Sequence, residues 1–119
     1  MRYLLLIAND ETKEAEATPE QMASRGQAWG RFTGELQAAG KMLGGERLRP
    51  ATTATTVRQP NGRTLLSDGP FIESKEQLGG YYLVEAGNLD EAVAWASKMP
   101  HLAYGGSVEV RPIWELGAV

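Results

Sequence analysis

The order in which capped helices interrupt short strands is what most limits how this chain can fold. Thr18-Pro19-Glu20-Gln21 opens a first helix. The threonine can cap it, the proline suits the first helical position, and the glutamine stands at the capping-box position. Met22, Trp29, Phe32 and Leu36 then share one apolar face, and Gly40 closes the helix. Asn88 with Glu91 three residues later opens a second helix, whose apolar face is Ala92, Trp95, Ala96 and Met99; Pro100 stops it. Gly26, Gly30 and Gly34 recur every fourth residue of the first helix, which predicts close approach of that helix to a sheet.

Strands fill the remainder. Residues 2–8 are an apolar run bounded by Asn9-Asp10, and the polar stretch 9–17 after it reads as a loop or lid. Lys41 to Leu48 is a short, glycine-broken strand stopped before Pro50. Residues 52–58 alternate with β-branched side chains, and Pro60-Asn61-Gly62-Arg63 is a hairpin turn leading to a partner strand at Thr64 to Ser67. Asp68-Gly69-Pro70-Phe71 makes a second tight turn before the strand Leu78 to Glu85, and 107–115 alternate as the last strand. The order is β-α-β-hairpin-β-α-β. Two helices cannot cover both faces of such a sheet, so the expected class is α+β, ferredoxin-like, with an antiparallel sheet and both helices on one face. Val108, Val110, Leu83 and Tyr81 are assigned to the other face, whose apolar character predicts a homodimer packed face to face.

Composition narrows the function. The chain of 119 residues is one domain, 1–119, long enough for a core of its own. It has no cysteine, which removes disulfides, thiolate metal sites and a cysteine nucleophile. With one histidine, a metal site is not expected either. A net charge of −3 argues against nucleic acid as the main partner. The run Leu4 to Ala8 is too short for a membrane span, and Asn9-Asp10-Glu11 follow it without a cleavage signal, so a cytoplasmic protein is expected. Neither Gly44-Gly45 nor Gly79-Gly80 matches a phosphate-binding fingerprint, and neither Ser67 nor Ser107 lies in a nucleophile elbow.

The run Ser67 to Tyr82 contains Asp-Gly-Pro-Phe, then Glu73, Lys75-Glu76 and Leu78-Gly79-Gly80-Tyr81, and it resembles the DGPF-type proteins of the YCII-related family. The opening Met1 to Ile7, the helix Asp90 to Ala96 and the ending Gly106 to Pro112 are similar to that family too. The resemblance implies a dimeric α+β barrel, two ferredoxin-like units packed sheet to sheet. It implies little about activity: most members have none assigned, DGPF-type members often stand beside extracytoplasmic-function sigma factors, and one branch includes a dehydrochlorinase of chlorinated hydroxyquinols. In YciI-type members a first-helix histidine has been proposed as catalytic, and here Trp29 stands where it would fall.

Candidate site residues follow. His101 is the only side chain with an ordinary pKa between 5 and 8, placed just after the second helix. It reads either as a general acid or base at a cleft rim, or as a helix-ending residue in solvent or against Tyr104. Asp68 reads either as a rigidly aimed carboxylate sharing acid–base work with His101, or as a turn former whose side chain bonds the backbone two residues on. Glu73 and Glu76 are candidate partners of Asp68, or solvated charge. Arg47, Arg49 and Arg111 are candidate anion holders, although Arg111 shares a strand face with Glu109 and simple pairing across strands is the plainer reading. Phe71, Tyr81, Tyr82, Trp29 and Trp95 either line an aromatic-binding pocket or form core. The leading expectation is a cofactor-independent enzyme using acid–base chemistry on a small phenolic or aromatic molecule. The alternative is a non-catalytic ligand-binding or accessory protein linked to sigma-factor regulation.

Overall fold

The computed structural model describes residues 1–117. Strands β1 (Arg2–Asn9), β2 (Met42–Arg47), β5 (Gln77–Glu85) and β6 (Ser107–Pro112) form one sheet in the order β2-β5-β1-β6. All its neighbours are antiparallel. Helix α2 (Pro19–Ala38) links β1 to β2, and α3 (Leu89–Ala96) links β5 to β6. This order is compatible with a ferredoxin-like fold. Between β2 and β5 the chain leaves the sheet to make a separate two-stranded hairpin, β3 (Thr55–Arg58) with β4 (Leu65–Asp68).

Local chemistry accounts for the helices. Thr18 and Gln21 form the reciprocal capping box at the start of α2. At its end Gly40, at φ 70°, donates to Gln37 O while Lys41 donates to Leu36 O, the paired bonds of a Schellman motif. Asn88 caps α3 by accepting from Glu91 N, while the Glu91 carboxylate accepts from Gly87 N. A third α-helix, α1 (Glu11–Glu14), lies within the stretch expected to be a loop, so the described residues form three α-helices and not two. Asp10 starts it by accepting from Thr12 N, and one turn needs no apolar face to signal it.

Tyr3, Leu5 and Ile7 of β1 and Val84 of β5 point to the helices and form the core with Phe32, Leu36, Ala92 and Ala96. Register places Val110 opposite Leu5 and Val108 opposite Ile7, so both valines belong to this covered face and not to the open one. The open face carries Leu4 and Leu6 of β1 opposite Leu83 and Tyr81 of β5, edged by Glu109 and Arg111 of β6. The alternation expected for 107–115 stops at Pro112, and Trp114 is 87% exposed.

The glycines of α2 do not pack. A Cβ at Gly26, Gly30 or Gly34 would meet nothing within 4 Å, because this stripe faces away from Trp29, Phe32 and Leu36. Close approach occurs between strands instead. A Cβ at Gly45 would come within 2.8 Å of Tyr81 O, and one at Gly80 within 2.7 Å of Glu46 O. Met22, expected on the apolar face of α2, is exposed near the helix start.

Candidate functional site

Trp29 and Phe32 of α2, Tyr82 of β5, Trp95 of α3 and His101 form one aromatic cluster. Trp29 stacks on the His101 ring with centroids 5.3 Å apart and on Tyr82 at 6.1 Å, while Phe32 meets Trp29, Tyr82 and Trp95 edge-on. Tyr82 and Thr33 hydroxyls share a 2.6 Å hydrogen bond, which satisfies the polar end of that ring. The cluster unites three of the aromatic candidates, Trp29, Tyr82 and Trp95, as part of the packing beside the core. Phe71 and Tyr81 are elsewhere: Phe71 is 73% exposed beyond β4, and Tyr81 lies on the open sheet face opposite Leu6.

His101 is 2% exposed, so neither a solvent position nor a cleft rim describes it. The reason is the short 3-10 turn Pro100–Tyr104, which starts after buried Met99 and folds its first residues inward against α2. Gly105 ends that turn at φ 87°. Gly106 is required next, since a Cβ there would overlap Asn9 Oδ1 and His101 Cδ2. Nε2–H donates to Ser107 O at 2.7 Å. A carbonyl only accepts, so this bond puts the proton on Nε2 and leaves the lone pair on Nδ1. Nδ1 is buried with no hydrogen-bond partner. Burial lowers the His101 pKa below the ordinary histidine value; the Ser107 carbonyl and the Glu14 charge oppose that shift. The imidazole is a neutral ring whose free nitrogen can accept a proton or a hydrogen bond.

A small recess of about 60 Å³ lies at this end of the molecule, lined by Asn9, Asp10, Lys13, Glu14, Arg25 and Tyr104 among others. The Arg25 guanidinium sits 4.0 Å above the Tyr104 ring and closes one side. Asn9 flanks Gly106 together with His101, and Glu14 acts on the imidazole charge, so recess and histidine are neighbours.

The remaining candidates lie apart from His101. Asp68 is exposed at the end of β4, paired in register with Thr55, and is not among the groups acting on the His101 charge. The side-chain turn bond expected of it has no donor two residues on, because that residue is Pro70. The turn is held instead by Gly69, at φ 95°, whose N–H donates to Ala54 O at 2.7 Å. Glu73 lines a shallow, open groove of about 390 Å³ with Glu11, Thr52, Gly69, Pro70 and Gln77. Glu76 is exposed in the following bend. Arg111 pairs with Glu109 on its own strand rather than across strands.

Sequence reasoning missed Glu11. Its carboxylate accepts from Ala51 N at 2.9 and 3.1 Å, tying α1 to the base of the hairpin across 40 residues. Nothing local marks so distant a bond. No group of three or more His, Cys, Asp or Glu among the described residues is placed to hold a metal ion, and no helix among them is long and apolar enough to cross a membrane.

Trp29 is thus the residue on which this chain's own histidine stacks. The model of the YCII-related domain matches residues 1–117. An uncharacterised protein of Rhizobium meliloti (strain 1021) is 37% identical over 114 residues, covering 95% of this chain and 92% of that protein. The chain belongs to the YCII-related family.

Proposed function

We propose that this protein is a cytoplasmic, cofactor-independent DGPF-type member that handles a small phenolic or aromatic molecule by acid–base chemistry at His101. The observation that carries the reading is the buried Nδ1 without a partner, in a ring whose other nitrogen is already held by Ser107 O. A ligand hydroxyl reaching Nδ1 would give up its proton to it, and the resulting imidazolium would keep its Nε2–H on Ser107 O. The neighbouring recess of about 60 Å³ is too small for an aromatic ring, so binding one there requires the recess to widen. Asp68 enters the reading as a carboxylate for acid–base work, and Phe71, Glu73, Tyr81 and Arg111 as binding positions, all apart from the histidine. A homodimer through the open face, Leu4, Leu6, Tyr81 and Leu83, completes it.

The test follows the His101 ring by NMR while phenol and hydroquinone are added at millimolar concentration. The expected result is a shifted ring signal and a displaced titration in the wild type, with phenolic turnover lost in His101→Gln while the fold is retained. An unmoved ring, with phenolic turnover unchanged in His101→Gln, would overturn the reading. The second reading is an accessory protein of sigma-factor regulation. It is favoured by one observation: the hairpin leaves Val57, Leu65, Leu66, Phe71 and Ile72 exposed, a surface suited to a protein partner.

A further inference from the structure

Four charged side chains converge on the recess beside His101 without pairing. Lys13 and Glu14 come from α1, Asp10 from the residue that caps it, and Arg25 from α2. Two cations and two carboxylates around one small space would ordinarily pair with one another. The ion pairs among the described residues are Met1–Glu85, Arg2–Glu115, Lys41–Glu91, Lys98–Glu35 and Arg111–Glu109, and none involves these four.

Two of the four are held by other groups. The Asp10 carboxylate accepts from Thr12 N and from the Thr12 hydroxyl, so it is occupied in capping α1. The Arg25 guanidinium sits 4.0 Å over the Tyr104 ring. That contact fixes the cation without a carboxylate and leaves its fork of N–H donors to a ligand. Lys13 adds a second donor to the recess and Glu14 an acceptor. A ligand of one sign does not satisfy this set. A simple anion on Arg25 and Lys13 leaves Glu14 unpaired beside it, and a simple amine on Glu14 meets two cations. A small zwitterion answers both. Size agrees with this: the recess holds about 60 Å³. At roughly 10–15 Å³ for one water-sized group, that is space for about four or five non-hydrogen atoms, the size of glycine.

We propose that the recess is a binding site for a small α-amino acid, its carboxylate taken by Arg25 and Lys13 and its ammonium group by Glu14. Asn9 and Tyr104 complete the walls. The site needs no proton transfer at His101, so it goes beyond the acid–base reading and stands without it.

The test is calorimetric titration of the full chain with glycine, and with acetate and methylamine as probes that carry one charge each. Glycine is expected to bind, and each single-charge probe to bind about tenfold or more weakly. Arg25→Gln and Glu14→Gln are each expected to weaken glycine binding by about tenfold or more, since each leaves one charged end of the ligand without its partner. Glu14 is exposed, so its variant should fold. Arg25→Lys, which keeps the charge and loses the fork, stands in with the same expected direction should circular dichroism show Arg25→Gln unfolded. Three results would overturn the site: no binding of glycine, acetate binding as tightly as glycine, or glycine binding unchanged in either variant. A chain that binds glycine while phenol leaves the His101 ring unmoved keeps this site and loses the acid–base reading.

Discussion

The sheet-and-helix body and the hairpin arm are both built from antiparallel strands, yet only one of them buries a face. β1 alternates Tyr3, Leu5 and Ile7 inward onto α2 and α3, and all three are within the core. β3 and β4 pair in clean register from Thr55–Asp68 to Arg58–Leu65, but Val57, Leu65 and Leu66 remain exposed. Period-two alternation with β-branched residues therefore marks a strand without saying that a second layer will meet it. The body holds a histidine at 2% exposure with one nitrogen unpartnered and Trp29 stacked on its ring. The arm, which carries the more distinctive sequence motif, offers its turn to solvent.

The sharpest way to break this contrast is to truncate one apolar side chain in each region. Phe32→Ala removes a buried ring that meets three aromatic neighbours edge-on. It should cost about 3 kcal/mol in urea unfolding. Leu66→Ser on the arm should move the monomer's stability by less than about 0.5 kcal/mol. Comparable losses at both positions would mean that the arm is packed in solution.

Glycines give a finer comparison within the body. Gly106→Ala puts a methyl group onto Asn9 and His101 and should cost roughly 1–3 kcal/mol. Gly30→Ala meets open space on α2 and should stabilise by up to about 1 kcal/mol, because alanine is the better helix former. Thermal melts of the two variants should therefore move in opposite directions.

The smallest effect separates buried imidazole from solvent-facing charge. Burial lowers the folded-state pKa of His101 below its unfolded value of about 6.5, so only about a unit or more above that value do both states hold it neutral and its contribution stay constant. As pH falls from there toward the folded value, the unfolded chain takes up the proton first and stability drops. His101→Gln should be less stable at neutral pH and should flatten that slope between pH 7.5 and 5.5. An unchanged slope would assign the acid sensitivity to carboxylates instead.

Much of this was legible locally. Thr18 with Gln21, Gly40, Asn88 with Glu91 and Asn61-Gly62 each act through bonds or dihedral angles within four residues, and each does what its type requires. The order of the elements along the chain followed from these signals, α1 excepted. What stayed hidden depended on residues far apart in the chain. The side of Val108 and Val110 is decided by register against Ile7 and Leu5 of β1, and the emptiness beside Gly26, Gly30 and Gly34 by the direction in which α2 settles on the sheet.

His101 shows the boundary most clearly. The sequence alone determined that this chain has a single imidazole, placed after a helix end and before Gly105-Gly106. Only the tertiary structure decided that Trp29, some seventy residues earlier, would stack on it, that Ser107 O would take its Nε2–H, and that Nδ1 would be left without a partner. Capping and turn bonds close over a few residues and are written in residue type. Burial is a property of which faces meet, and it exists only once the sheet and its helices have packed.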